Sequence, residues 1–133
     1  MLIVSNSKSK LSDMKLALSK YFKVKDLGEV KFLLGIEVIH DRKSGSIKLS
    51  QQAYINQLLN QFNLLGAKPA STPLSSGIHL TQDDCPTNEE ETRDMVNVPY
   101  ASLIGALMYT AIRMRPDIAF TVGALSQFLS NPG

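Results

Sequence analysis

Residues 30–50 (VKFLLGIEVIHDRKSGSIKLS) carry the strand signal on which the fold turns. From Val30 to Ile39, Phe32, Leu34, Ile36 and Val38 alternate with Lys31, Leu33, Gly35 and Glu37, the two-residue period of a strand. Apolar residues occur on both faces of its first half, which predicts packing on two sides there. Asp41, Arg42, Lys43, Ser44 and Gly45 form a loop, and residues 46–49 (SIKL) return as the second arm of a hairpin.

Upstream, residues 1–4 (MLIV) are too apolar for a free tail, and the Ser5-Asn6-Ser7 turn cluster follows them. They read as the last half of a strand that enters from residues further upstream. Between Lys8 and Phe22, the apolar positions Leu11, Met14, Leu18 and Tyr21 recur at helical spacing, with Lys10, Ser12, Lys15 and Ser19 opposite. This predicts an amphipathic helix capped by Asn6 or Ser7.

Downstream, Ser50 is a suitable N-cap for a helix over residues 51–65 that Gly66 would end. Tyr54, Ile55, Leu58, Leu59 and Phe62 make its apolar stripe. The other face is uncharged and rich in amides, with Gln52, Asn56, Asn60 and Asn63 about a turn apart. Residues 67–98 contain Pro69, Pro73, Pro86 and an acidic run without periodicity, which predicts a long surface loop. Pro99 then opens a third helix with Leu103, Ile104, Leu107, Met108 and Ala111 inward and Gly105 allowing close approach. Pro116 opens a fourth, with Asp117 favouring the helix dipole and Ile118, Val122, Leu125 and Leu129 as its apolar face. The expected class is α+β: a small antiparallel sheet of one strand plus a hairpin, with four helices. The expected divisions are 1–49, 50–66, 67–98 and 99–133.

At 133 residues and 44% hydrophobic content, the chain can bury a modest interior. No uninterrupted apolar run has the length of a membrane span, so no membrane partner is expected and the reading is intracellular. Cys85 is the one cysteine, which excludes an internal disulfide, and no familiar zinc spacing includes either histidine. The net charge of +2 hides an asymmetry. Residues 83–94 hold six of the 12 acidic groups and one basic group, which leaves 13 basic against 6 acidic groups elsewhere. Such a surplus draws a surface toward polyanions, although a solvated lysine-rich surface has the same composition.

The chemistry of catalysis is missing from the pattern. His40 and His79 have no Ser, Cys or Asp at a spacing that builds a nucleophile and base. Gly28 and Gly35 flank a strand and do not open a helix as a phosphate loop would. The acidic run lacks the ligand spacing and glycine of a calcium loop.

Six phrases in one order carry a resemblance: residues 1–7 (MLIVSNS), 22–38 (FKVKDLGEVKFLLGIEV), 47–59 (IKLSQQAYINQLL), 68–74 (KPASTPL), 100–120 (YASLIGALMYTAIRMRPDIAF) and 125–133 (LSQFLSNPG). The series resembles the later part of copia-type (Ty1/copia) retrotransposon reverse transcriptases and covers nearly everything except the acidic run. The resemblance implies that residues 1–4 directly follow a Tyr-x-Asp-Asp turn. In the family, that turn and a third upstream carboxylate hold two magnesium ions. All three ligands would lie outside this chain, so it would bind no cofactor and have no polymerase activity alone.

The resemblance further implies that residues 1–49 are a palm remnant and residues 32–38 its primer-grip hairpin, with Leu34 and Gly35 approaching the primer terminus. Residues 50–66 would be the first thumb helix, with Asn56, Asn60 and Asn63 along the duplex minor groove. Residues 99–133 would continue the thumb toward the connection segment. There Met114-Arg115-Pro116-Asp117 departs from the family's Thr-Arg-Pro-Asp at its first residue, removing an N-cap hydroxyl.

Implied partners are an RNA/DNA primer-template duplex, weakly bound, and the remainder of a retroelement polyprotein. The implied location is the cytoplasm, with virus-like particles in the full-length family. An open sheet edge invites self-association and marginal stability. Two other readings stay open: a co-opted nucleic-acid-binding module, and a protein-interaction domain.

Overall fold

Ser7, one of the two caps the sequence offers, starts the first helix: its hydroxyl accepts the Lys10 N–H at 3.5 Å, and α1 runs over Lys8–Tyr21. The computed structural model describes residues 1–75 and 77–133, so Ser76, within the predicted 67–98 loop, lies outside the described residues. The chain divides into two units, Met1–Leu49 and Ser50–Gly133.

In the N-terminal unit, α1 half-buries Leu11, Lys15 and Leu18. Met14 and Tyr21, expected on the inner stripe, are 51% and 81% exposed. Lys15, expected outside, turns inward because Asp26 is fixed near it. The Asp26 carboxylate accepts the Gly28 N–H at 2.9 Å and pairs with Lys15 Nζ at 2.7 Å.

The expected single strand from Val30 to Ile39 is instead two strands, β1 (Phe32–Leu33) and β2 (Ile36–Asp41). They pair antiparallel, Phe32 with Glu37 and Leu33 with Ile36, around a two-residue turn of Leu34 and Gly35. Periodicity hides this reversal because Leu33 and Leu34 put apolar side chains on both parities of the pattern. β3 (Ser46–Ser50) completes a sheet of order β1-β2-β3. The β2–β3 connection is the expected loop: Asp41 accepts the Lys43 N–H at 2.9 Å and the Ser44 hydroxyl at 2.7 Å, and Gly45 takes a φ of +68°.

The predicted strand at residues 1–4 does not form among the described residues, since no ladder partner lies beside it, and Met1 and Val4 are 91% and 84% exposed.

The C-terminal unit holds every buried residue described: Gln51, Ile104, Thr110, Ala111 and Val122. α2 (Gln52–Gln61) half-buries Tyr54, Ile55, Leu58 and Leu59, with Phe62 at its end, as the stripe predicts. The acidic stretch is not all loop. It holds a 3₁₀ turn (Gln82–Asp84) and a two-turn helix, α3 (Glu89–Met95). Asn88 caps α3 by accepting the Glu91 N–H at 2.9 Å, and the Glu91 carboxylate accepts the Thr87 N–H at 2.8 Å. Glu89, Glu90 and Glu91 lie where the helix dipole favours negative charge.

α4 (Tyr100–Arg113) packs on α5 (Ala119–Ser126) and on the 3₁₀ turn Pro116–Ile118 that replaces the predicted first turn of the last helix. Ile104 and Ala111 from α4 and Val122 from α5 form the core, and the Tyr100 hydroxyl donates to the Leu125 carbonyl at 2.8 Å. Burial pushes the Tyr100 phenol above its ordinary pKa. Thr110 is buried, and its hydroxyl is satisfied by donating to the Ala106 carbonyl at 2.9 Å. The close approach expected at Gly105 is absent: a Cβ there would meet nothing within 4 Å. The class is α+β, with three strands and five α-helices among the described residues.

Candidate nucleic-acid interface

The β1–β2 turn places both sequence-predicted primer-grip residues at its tip. Leu34 and Gly35 have φ of +51° and +72°, as a type I′ turn demands at both central positions. Glycine adopts this backbone freely, but for leucine the left-handed region costs about 1–2 kcal/mol. Asn-Gly or Asp-Gly would make the same turn with less strain. The Leu34 side chain is 61% exposed. The Val38 N–H donates to the Lys31 carbonyl at 2.7 Å, adding a bond beyond the tip pairs.

Near this hairpin, Arg42 donates to Glu29 Oε1 from Nη2 at 2.6 Å and from Nε at 3.1 Å, and His40 Nδ1 lies 3.4 Å from the same oxygen. The Arg42 guanidinium holds the Glu29 carboxyl below its ordinary pKa.

On α2 the structure keeps two of the three predicted asparagines together. Asn56 and Asn60 lie one turn apart on the exposed face, where Gln52 Nε2 donates to Asn56 Oδ1 at 2.9 Å. Gln57 and Gln61 are also exposed, so the solvent side of α2 carries amides and no charge. Asn63 is off this face. With φ of +56° it is the left-handed residue that ends the helix: its own N–H donates to the Asn60 carbonyl at 3.2 Å, and the Leu64 N–H donates to the Leu59 carbonyl at 2.7 Å. These two bonds form a Schellman motif, in which asparagine stands in for the usual glycine. The helix therefore stops short of the predicted Leu65, and Gly66 is not its terminator.

The predicted cap Ser50 does contribute, its hydroxyl accepting the Gln52 N–H at 3.2 Å. Sequence reasoning missed Gln51, which is only 3% exposed and whose side-chain amide has no hydrogen-bond partner among the described protein groups. It also missed the ring contact from α2 to α4. Tyr54 meets Tyr109 edge-on at 5.3 Å between centroids, and the Arg113 guanidinium lies 5.2 Å from the Tyr109 ring centre.

Charge separates along the chain. Met1–Leu49 carries ten basic and five acidic side chains, and Ser50–Gly133 carries four and seven. Among the described residues no three His, Cys, Asp or Glu side chains come together to hold a metal ion. The sequence contains no Tyr-x-Asp-Asp. These residues therefore do not fit a two-magnesium centre. No single helix described is long and apolar enough to cross a membrane.

A two-residue turn with both φ positive closes the β1–β2 hairpin of a small antiparallel sheet, and an amide-faced helix follows the sheet in the chain. The chain belongs to the reverse transcriptase (RNA-dependent DNA polymerase) family, whose model matches residues 1–76. It is of the copia type of retrotransposon reverse transcriptase. It is 46% identical over 133 residues to the Retrovirus-related Pol polyprotein from transposon TNT 1-94 of Nicotiana tabacum, covering all of this chain and 10% of that protein. It is 35% identical over 132 residues to a putative transposon Ty5-1 protein of Saccharomyces cerevisiae, covering 98% of this chain and 41% of that one. To the Retrovirus-related Pol polyprotein from transposon RE1 of Arabidopsis thaliana it is 35% identical over 131 residues, covering 98% and 8%. The chain thus spans less than half the length of each of these relatives. No solved structure matches it.

Proposed function

We propose that this chain is the primer-holding segment of a copia-type reverse transcriptase, with no polymerase activity as an isolated chain. The Leu34–Gly35 turn rests against the primer strand, and the α2 amides Asn56 and Asn60 lie along the minor groove of the primer-template duplex. The observation that carries this reading is the left-handed Leu34. Backbone strain held at an exposed tip is a feature of functional sites, and here a less strained residue pair was chemically available.

The amide face supports it. Asparagine and glutamine donate and accept, the minor groove offers nearly the same acceptors at every base pair, and an uncharged face tracks it without selecting sequence. The surplus of five positive charges on Met1–Leu49 supplies attraction to phosphates. Magnesium-dependent nucleotidyl transfer needs carboxylates that the described residues do not bring together.

The test is binding of a labelled RNA/DNA primer-template duplex across a salt series. Affinity is expected to fall with a slope of about −0.9 per phosphate contact on a log–log plot. Leu34→Asn is expected to keep the turn and weaken binding, and the double variant Asn56→Ala/Asn60→Ala is expected to weaken it without changing the salt slope. Weak binding with a flat salt response would refute the reading. Primer extension by the purified chain with magnesium would refute its inactivity.

A further inference from the structure

We propose that Arg113 is a phosphate-binding residue, holding the duplex backbone at the flank of the groove in which the α2 amides lie. The inference rests on the duplex-holding reading of α2 and supplies the positive charge that the amide face itself lacks.

Ser50–Gly133 contains three arginines, and two of them are committed to carboxylates. Arg115 donates to Asp117 from Nε at 2.9 Å and from Nη2 at 2.8 Å, and Arg93 Nη2 lies 3.9 Å from Glu89 on the acidic α3. Arg113 makes no ion pair among the described residues. Its guanidinium lies 5.2 Å from the Tyr109 ring centre, at the exposed last residue of α4. A guanidinium held against a ring keeps its donor fork in one place while its charge stays unneutralised, and two-point recognition of a phosphate needs both. The unit's other cation, Lys68, lies outside every helix and strand.

Placement beside α2 follows from the ring contacts. Tyr109 meets Tyr54 of α2 edge-on at 5.3 Å between centroids, so two contacts in series join Arg113 to that helix. Gln57 and Gln61 follow Tyr54 at i+3 and i+7, on the same side of α2, and both are exposed. Arg113 therefore stands next to the edge of the amide surface. The two phosphate backbones wall a minor groove, so a helix lying in the groove meets phosphates at its flanks.

The experiment measures binding of the labelled RNA/DNA primer-template duplex across the salt series for the unchanged chain and for Arg113→Gln, Arg113→Lys and Arg93→Gln. Arg113→Gln is expected to reduce the log–log salt slope by about 0.9 and to weaken binding about five- to tenfold near 0.1 M salt. Arg113→Lys keeps the charge without the fork, so it keeps the slope and loses part of the affinity. Arg93→Gln, at the paired arginine, changes neither. Both arginines are exposed, so these substitutions leave the fold intact. A residue that served only to pack on Tyr109 would leave the salt slope where it was. A slope unchanged by Arg113→Gln, or reduced equally by Arg93→Gln, overturns the proposal while duplex holding stands. Absence of binding by the unchanged chain overturns duplex holding and this contact with it.

Discussion

Met1–Leu49 and Ser50–Gly133 are held in shape by different means. The first has no buried residue, and its order comes from local devices: a serine cap, four left-handed residues, an Asx-type loop and ion pairs at the surface. The second has a small core in which Ile104 is 1% and Val122 3% exposed, and its helices are tied across the core by Tyr100. The comparison teaches that a family-typical sequence can specify secondary structure almost completely while leaving tertiary stability to whatever it packs against. Local caps and turns contribute about 0.5–2 kcal/mol each, and surface ion pairs less, whereas cooperative folding requires buried apolar area.

The largest expected effect is at the core. Ile104→Ala should cost about 2–5 kcal/mol and melt the α4–α5 pair, measured by chemical denaturation. Hairpin amide signals from residues 32–41 should survive in the same sample. If they vanish in the same transition, the two regions are not separately held and the comparison fails.

Gly35→Val puts a β-branched residue at a φ of +72° and should cost the hairpin about 1–2 kcal/mol, read from amide exchange of Val38. Leu34→Asn should do the reverse by about 1 kcal/mol, since asparagine tolerates the left-handed region. Stability and duplex affinity would then move in opposite directions, which is the signature of strain retained for use.

At the end of α2, Asn63→Ala should cost about 1 kcal/mol in the C-terminal unit, and Asn63→Gly should cost nothing or add stability. Thermal unfolding of both variants checks this. Equal loss for the two would mean that the asparagine side chain, and not its backbone conformation, matters at that position.

What could be read from the sequence follows the same division between local and tertiary causes. The α2 stripe and the Ser7 cap were legible because each depends on neighbours a turn away. The Asn88-x-x-Glu91 pattern that starts α3 was visible in principle, but the surrounding acidic run and prolines masked it. The Leu34–Gly35 reversal was not legible as a turn, because leucine is a poor turn residue and the alternation seemed to continue through it. Gly105 was misread since a glycine on a helix says nothing about whether a neighbour approaches. Thr110 and Gln51 were unreadable as buried residues, because burial of a polar side chain is decided by tertiary packing. Asn56 and Asn60 share an exposed face of α2, as the helical spacing predicts, Leu34 and Gly35 form a turn where a continuous strand was expected, and Asn63 was lost to a helix that ends earlier than its last amide.

The smallest effect expected is in acid, where the two regions should part again. In Met1–Leu49, Asp26 is held below its ordinary pKa first by Lys15, Glu29 first by Arg42, and Asp41 first by the Ser44 hydroxyl. A carboxylate with a depressed folded pKa stabilises the fold above its unfolded value, 3.8 for Asp and 4.5 for Glu here, and that contribution is lost as pH falls through the lower folded value. Between pH 5 and 8 these groups should therefore change nothing, and loosening should begin below about pH 4. All three carboxylates are solvent-exposed, so the effect is modest and shrinks with added salt. The C-terminal unit has such groups too, with Asp117 held low first by Arg115 and Glu91 first by the Thr87 N–H, but it also has a core that does not titrate. An NMR titration should show the Gly28 and Ser44 amides shifting and broadening before those of Ile104 and Val122. If the core amides go first, acid acts on tertiary packing, and the N-terminal unit owes less to its charges than its bonds imply.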